Sequence, residues 1–234
     1  MVNKKDHMTN LYSGKAVDVD RVLLVRYPES IDLRGLAAEA SVSLGEAFKV
    51  SRALIKERLA IRDSSRSGLK LMAPFELLER WASVNNFASN TEFVEYYSGE
   101  EEISKFLEKF KSLKSPQHAF TGLTGAMLVE PFVRPTNVHI YVISEEDARK
   151  IAEMLDLMPV EENGNVKFAI AKSKGVFYGT QEINGINVVS DIQLYVDLYN
   201  YPARGKEAAG EIRRAIEDKW KQKVHKTGQL PEKR

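Results

Sequence analysis

The stretch that decides the N-terminal fold reads LRGLAAEASVSLGEAFKVSRALIKER and runs from residue 33 to residue 58. Apolar residues at helical spacing predict one helix from Leu33 to Ala40 and a second from Leu44 to Arg58, with a three-residue polar break between them. Ser43 stands at the N-cap position of the second helix and Glu46 follows three residues later, which is the pattern of a capping box. Two helices joined by so short a turn are typical of a helix-turn-helix, whose second helix enters the major groove of DNA.

The flanking segments extend this motif to a winged helix-turn-helix. Apolar spacing upstream predicts a helix from Ala16 to Tyr27. Downstream, apolar residues alternate between Leu59 and Leu71 on both sides of a polar loop that ends in glycine, which predicts a β-hairpin. Pro74 opens a further helix. We therefore predict a winged helix-turn-helix DNA-binding domain over residues 14–84.

The second helix of the motif has one stripe of residues that is predicted to be buried: Leu44, Ala47, Val50 (or Ser51) and Leu54. Between Leu44 and Met72 the chain has seven basic and three acidic residues, although the formal net charge of the whole protein is only +1. A local basic surface on a nearly neutral protein is typical of a small DNA-binding module. The predicted DNA-binding residues are Ser43, Gly45, Glu46, Phe48, Lys49, Arg52, Lys56, Arg62, Arg66 and Lys70.

This outward face has more than one interpretation. Lys49 and Arg52 can reach guanine edges or phosphates, and Phe48 can pack on a thymine methyl group. Phe48 can equally pack against the first helix, and the cations can form a merely solvated face. Winged modules also serve as protein–protein adaptors, which is the main structural alternative.

A polar segment at residues 83–91, rich in Asn and Ser, predicts a domain boundary. Beyond it, strand-like and helix-like segments alternate, which predicts a mixed α/β domain over residues 92–222 and an α+β class for the whole chain. Strands are predicted at 92–97, 118–121, 138–143, 167–171, 176–181 and 186–189, and helices at 100–113, 123–129, 145–157, 191–198 and 205–221. Hairpin turns are predicted at Asn163-Gly164 and Asn184-Gly185.

Composition limits the class of protein. The 234 residues are 43% hydrophobic, which is enough for a folded core, and no run approaches the roughly 20 apolar residues that span a bilayer. The charged N-terminus leads into no apolar segment, so we expect no signal peptide and no membrane partner. The sequence has no cysteine, which excludes disulfides and cysteine nucleophiles and fits a cytoplasmic protein.

Signals for enzyme chemistry are weak. The four histidines, at positions 7, 118, 139 and 225, have no spacing typical of metal ligands. The glycine-containing turn at residues 121–125 lacks the lysine of a phosphate-binding loop. We therefore predict a protein that is not an enzyme, with no catalytic residue, no metal and no cofactor.

One rival interpretation is that the winged helix delivers a metal-dependent nuclease or a nucleotide-binding C-terminal domain. The acidic and basic residues that suggest it are Asp191, Asp197, Glu207, Lys206 and Lys172. Nuclease sites of this kind hold their metal with carboxylates on adjacent strands, whereas two of these carboxylates fall on a predicted helix.

A separate partner-binding surface is predicted at Tyr199, Tyr201 and Arg204.

Three stretches of the sequence are distinctive. They are residues 33–54 within the first motif, residues 119–142 (AFTGLTGAML, through PFVRP, to VHIYV) and residues 188–209 (VVSDIQLYVDLY, followed by NYPARGKEAA). On these stretches the sequence resembles the AbiEi-type antitoxins of type IV toxin–antitoxin systems and related winged-helix regulators, from the first predicted helix to Ile216. The resemblance implies a DNA-binding N-terminal domain that represses its own operon. It also implies a C-terminal domain that counteracts a nucleotidyltransferase-like toxin without a stable complex.

The sequence thus predicts a sequence-specific transcription regulator that binds double-stranded operator DNA and acts as an autorepressing, antitoxin-like protein. We expect a homodimer, since two modest half-site interactions combine into one specific interaction. A nucleotidyltransferase-like toxin is the functional partner that the resemblance implies. The alternatives are the delivered nuclease or nucleotide-binding domain and the protein-interaction adaptor.

Overall fold

The computed structural model describes residues 10–62, 68–100, 102–131 and 135–227. These residues divide into two compact units. The first unit has the N-terminal residues up to Val84 together with those from Lys219 onward, and the second has residues 85–218. Helices dominate the first unit and a mixed sheet with helices forms the second, so the predicted α+β class is confirmed. Within the described ranges, no helix is both long and apolar enough to span a bilayer.

Helices and strands of the first unit follow the order predicted from the sequence. Their bounds are α1 Ala16–Arg26, α2 Leu33–Glu39, α3 Leu44–Lys56, β1 Ala60–Ile61, β2 Lys70–Leu71 and α4 Pro74–Val84. The strands β1 and β2 pair antiparallel, with Ala60 opposite Leu71, which confirms the predicted hairpin. Ile31, just ahead of α2, forms a further antiparallel bridge with Leu69.

One apolar face of each long helix forms the core of the first unit. Leu24 on α1, Leu54 on α3 and Leu77 on α4 are completely buried, and so is Leu59 between α3 and β1. Burial of each such side chain stabilises the folded state by about 1.5–3 kcal/mol relative to exposure. The apolar spacing seen in the sequence therefore reflects one shared core.

The end of the last helix, α10 (Gly205–Thr227), completes this core. Trp220 is only 6% exposed, and its ring centroid lies 5.0 Å from that of Tyr27 and 4.7 Å from that of Phe75. Lys223 Nζ donates a 3.1 Å hydrogen bond to the carbonyl oxygen of Val25 at the C-terminal end of α1, where a cation also interacts favourably with the helix dipole. The first unit thus depends on residues from both ends of the chain.

The second unit is built on a seven-stranded mixed sheet with the strand order β6-β3-β7-β5-β4-β9-β8. Its strands are β3 Glu92–Tyr97, β4 His118–Thr121, β5 Val138–Val142, β6 Met158–Pro159, β7 Val166–Ile170, β8 Gln181–Ile183 and β9 Ile186–Val188. Its helices are α5 Phe87–Asn90, α6 Ile103–Glu108, α7 Gly122–Val129, α8 Glu145–Met154, α9 Asp191–Tyr199 and the first part of α10. The pairs β5–β7 and β4–β9 are parallel, and the other neighbours are antiparallel.

The two faces of this sheet differ in chemistry, because successive side chains along a strand point to opposite sides. On one face Phe120, Ile140 and Phe168 form an apolar cluster with residues of α6 and α8. On the other face Thr121 and Tyr141 belong to a buried polar layer. The apolar face carries one hydrophobic cluster of the second unit.

The structure confirms one of two predicted turns and contradicts the other turn and one predicted strand. The Asn184-Gly185 turn joins β8 to β9 with positive φ at both residues, as a two-residue type I′ hairpin requires, so that prediction is confirmed. The Asn163-Gly164 hairpin is wrong, because β6 pairs with β3 and not with β7. The predicted strand at 176–181 is also wrong: Lys174–Phe177 is a 3₁₀ helix and β8 begins only at Gln181.

The polar segment at residues 83–91 is more ordered than its composition indicates. It contains α5, which Asn86 caps by accepting a hydrogen bond from Ser89 N. Phe87 on this short helix is buried, and its ring lies against Phe93 and Tyr141. The isolated aromatic residue in the polar run is therefore part of the core of the second unit.

Asp20 on α1 is a buried carboxyl group in the core of the first unit. Its side chain is completely buried, and within the described parts of the chain neither carboxyl oxygen has a hydrogen-bond partner. Burial raises the pKa of the Asp20 carboxyl well above its ordinary value, although the charge of Arg21 acts in the opposite direction. Ionisation of Asp20 therefore destabilises the folded first unit.

We expect the stability of the first unit to fall as pH rises, through Asp20. A raised folded-state pKa contributes stability that is complete below the unfolded pKa of about 3.9 and is lost as pH rises through the folded value. Urea unfolding between about pH 4 and pH 9 should therefore show wild type losing stability relative to Asp20→Asn as pH increases. Both tryptophans, Trp81 and Trp220, lie in the first unit, so their fluorescence reports its unfolding. A difference between the two proteins that is independent of pH would contradict the assignment, and Asp218→Asn, at an exposed site, is the control.

Removal of the Trp220 ring should destabilise the first unit by about 3–5 kcal/mol, because a large buried aromatic group is lost and a cavity is left. The measurement is urea unfolding of the full chain, with Trp81 fluorescence as the signal for Trp220→Ala. Trp220→Phe should recover most of the loss, and Gln222→Ala on the exposed side of the same helix should have little effect. Equal stability of Trp220→Ala and wild type would show that α10 is dispensable for the first unit.

Candidate nucleic-acid interface

The region that the sequence predicts to be a helix-turn-helix begins with two capped helices. Asp32 caps α2 by accepting hydrogen bonds from the backbone N–H groups of Arg34 and Gly35, and these bonds hold the pKa of the Asp32 carboxyl below its ordinary value. Ser43 Oγ accepts a 3.1 Å hydrogen bond from Glu46 N at the start of α3. This is the Ser43 half of the predicted capping box. The Glu46 carboxylate lies 3.9 Å from Lys49 Nζ.

The turn before α3 and the end of α3 both use left-handed backbone at residues other than glycine. Ser41 has φ 53° and Arg58 has φ 60°. At the end of α3, the N–H groups of Arg58 and Leu59 donate to the carbonyl oxygens of Ile55 and Leu54, so the helix ends without a glycine. The backbone therefore turns sharply from α3 into β1.

The buried stripe of α3 consists of Ala47, Val50, Ser51 and Leu54. The prediction that Leu44 belongs to this stripe is wrong, because Leu44 is 50% exposed. Helical side chains tilt toward the N-terminus, so the side chain of the first helical residue projects beyond the end of the helix. Leu44 therefore lies on the surface despite its helical spacing.

The predicted DNA-binding residues of α3 lie on its accessible side. Gly45, Phe48, Lys49, Arg52 and Lys56 are exposed and Glu46 is half-buried, while Ser43 is exposed at the N-cap. Phe48 is 48% exposed, and the Arg52 guanidinium lies 5.9 Å from the centroid of its ring. The ring of Phe48 is thus a surface group covered in part by Arg52.

The cations of the β1–β2 hairpin are less exposed to solvent than those of α3. Arg62, directly after β1, and Lys70 on β2 are both half-buried. Arg66, the third predicted hairpin cation, lies outside the described residues. The basic row within the described part of this unit is therefore formed mainly by Lys49, Arg52 and Lys56.

The predicted partner-binding residues of the second unit differ in exposure and in their contacts. Tyr199 is exposed, and its ring lies 5.6 Å from that of the buried Tyr195. Tyr201 is half-buried, with its hydroxyl 3.4 Å from Nε2 of His139. Arg204, which the sequence suggested to be available for binding, donates two hydrogen bonds of 2.9 and 2.8 Å to the Glu207 carboxylate.

Two of the carboxylates that suggested nuclease chemistry, Asp191 and Asp197, accept hydrogen bonds within the second unit. Asp197 on α9 is buried and accepts hydrogen bonds from Thr121, Tyr141 and Gln193. Asp191 accepts a 2.6 Å hydrogen bond from Gln181. In the described parts of the chain, no group of three or more His, Asp and Glu side chains is placed to hold a metal ion.

His139 is a packed strand residue. It lies 5.6 Å from Phe87 and 5.8 Å from Phe93, measured between ring centroids. Burial, together with the charge of Lys167, lowers the pKa of His139 to about 4. The ring is therefore neutral at physiological pH and acts as an aromatic packing group. Gly122 has φ +59° at the start of α7, and a Cβ at this position would lie 3.3 Å from Nδ1 of His139.

A family model described as transcriptional regulator, AbiEi antitoxin, type IV toxin–antitoxin system matches residues 70–218, more than half of the chain. The chain belongs to this family. The AbiEi match begins at Lys70 in β2 and ends in α10, so it covers the second unit from start to end, and α1, α2 and α3 precede it. No curated protein and no solved structure matches the sequence. AbiEi membership confirms the resemblance seen in residues 119–142 and 188–209 and identifies the family as one of transcription regulators.

The Ser43 cap gives a stability test of the AbiEi protein's α3. Ser43→Ala should lower the free energy of unfolding of the first unit by about 1 kcal/mol, because the N–H of Glu46 loses its acceptor. Ser43→Asp keeps an acceptor of equal rank and should stay close to wild type. Tryptophan fluorescence in a urea titration measures both variants. If Ser43→Ala were as stable as wild type, the hydroxyl would have no capping role.

Proposed function

We propose that this AbiEi-family protein binds double-stranded operator DNA through a winged helix-turn-helix in its first unit and represses its own operon. The observation that carries the proposal is the two-sided character of α3. One side is buried through Ala47, Val50 and Leu54, and the accessible side carries Lys49, Arg52 and Lys56. A helix of this kind can present its polar side to the major groove while it stays anchored in its own domain.

The surroundings of α3 support a winged geometry. The helix α2 precedes α3 across a short turn, in which Val42 N donates a 3.0 Å hydrogen bond back to the carbonyl oxygen of Ala37 on α2. The β1–β2 hairpin follows α3 directly, and its bridge from Leu69 to Ile31 ties it to the start of α2. In the proposed function α3 is the recognition helix and the hairpin is the wing, with Arg62 and Lys70 near the DNA backbone.

Charge supports nucleic acid over a neutral partner. The segment from Leu44 to Met72 has an excess of four positive charges in a chain whose net charge is +1, so the positive field is concentrated where α3 lies. Lys49 and Lys56 are suited to phosphate contacts, and Arg52 to the O6 and N7 atoms of guanine. Ser43 and Gly45 are small residues at the start of α3, so they allow close approach of the DNA.

We propose that the second unit supplies the antitoxin activity against a nucleotidyltransferase-like toxin, and that the protein binds its operator as a homodimer. Family membership supports an antitoxin, and paired half-sites favour a dimer. Tyr199, Tyr201 and Arg204 are proposed partner-binding residues. Among them Tyr199 and Arg204 are the exposed ones.

The test is a fluorescence-anisotropy titration of the full chain with DNA from upstream of its own coding sequence and with a scrambled duplex, across a salt series. We expect selective binding to the upstream duplex that weakens in Lys49→Gln, Arg52→Gln and Lys56→Gln. Each lost phosphate contact should reduce the slope of log affinity against log salt by about one.

The matched control is Lys109→Gln, which removes an exposed lysine of the second unit and should leave both affinity and salt slope unchanged. Equal affinity for the upstream and scrambled duplexes, or binding indifferent to all three α3 variants, would contradict the proposal. In that case the protein-interaction adaptor becomes the function to test.

A further inference from the structure

Two large apolar side chains stand side by side on the exposed face of α3. Leu44 is 50% exposed and Phe48 is 48% exposed. Residues four apart on a helix are neighbours, so the two side chains form one apolar strip over the first two turns of α3. Ile55 is also exposed, at 39%, but it lies near the other end of the helix. Gly45 lies between Leu44 and Phe48 in sequence, and a Cβ at this position would lie 3.9 Å from Ser43 Oγ.

The basic row of α3 runs directly beside this apolar strip. Successive residues of a helix are about 100° apart, so Arg52 is offset from Phe48 by about 40° around the axis. The Arg52 guanidinium lies 5.9 Å from the Phe48 ring centroid, a cation–π distance that holds the planar group next to the ring. A ligand for this surface must therefore offer methyl groups immediately beside hydrogen-bond acceptors and negative charge.

The major groove of DNA has this combination of groups. Thymine places its 5-methyl group there, guanine places the O6 and N7 acceptors, and the phosphates line the rim. The apolar strip spans about 6 Å along the axis of α3, since each residue rises about 1.5 Å. It lies in the N-terminal turns, the part of a recognition helix that contacts base edges.

Given the DNA binding proposed above, on which this inference rests, we infer that Leu44 and Phe48 read thymine through its 5-methyl group and that Arg52 reads the guanine next to it. Phe48 is the main contact, because its ring also orients Arg52. Each operator half-site then contains a thymine adjacent to a guanine. Replacement of that thymine by deoxyuridine, which removes only the methyl group, should weaken binding.

The experiment starts with in vitro selection of duplexes from a randomised library by the full-length protein. Each thymine conserved among the selected duplexes is then replaced, one at a time, by deoxyuridine, and affinity is measured by fluorescence anisotropy. We expect a loss of about fourfold at the contacted thymine, the effect of burying one methyl group. Phe48→Ala should weaken binding of the thymine duplex and abolish its difference from the deoxyuridine duplex.

Ile55→Ala is the matched control, since it removes an exposed apolar side chain from the same helix away from its N-terminal turns. It should leave the difference between thymine and deoxyuridine intact. Failure to select any duplex overturns the DNA-binding function itself. Selective binding with equal affinity for thymine and deoxyuridine at every position leaves DNA binding in place and overturns the methyl readout. Phe48→Ala can also lose self-association in sedimentation velocity while it keeps the difference in affinity between the thymine and deoxyuridine duplexes. That result assigns the apolar strip to a protein interface and also overturns the methyl readout.

Discussion

The rotation of α3 about its own axis is the constraint on which the proposed interface depends. Burial of Ala47, Val50 and Leu54 fixes that rotation, because turning the stripe away from the core would expose apolar surface at about 25 cal/mol per Å². Because these three residues are buried, Lys49, Arg52 and Lys56 face the solvent. Ser43 sets where the helix begins. A single-residue insertion within α3 would rotate the later cations by about 100° toward the core.

The second unit depends on a different kind of interaction, a buried hydrogen-bond network on one face of its sheet. Asp197 receives donors from β4, β5 and its own helix α9, so one carboxylate connects three elements. Because a buried carboxylate is costly when its acceptors are unsatisfied, these donors fix how α9 lies on the sheet. The same acidic residue that suggests metal chemistry in the sequence is thereby a structural one.

Short-range signals in the sequence predicted most of the fold. The cap at Ser43, the spacing within α1 and α3, and the Asn184-Gly185 turn are all determined by residues within a few positions of each other. One error arose where a distant partner decides the structure. The pairing of β6 with β3 has no local signature, since a register between strands depends on the rest of the sheet.

The candidate site was predictable to the extent that helical periodicity determines it. The exposed side of α3 follows from spacing alone, and all of its predicted polar residues are accessible to solvent at least in part. Leu44 was misplaced because periodicity takes no account of where a helix ends. The role of Trp220 in packing against Tyr27 and Phe75 connects residues separated by most of the chain. That connection also sets a time: at roughly 5–20 residues per second of synthesis, the ribosome adds Trp220 on the order of ten seconds after Phe75, so the nascent first unit lacks part of its core until Trp220 has been added.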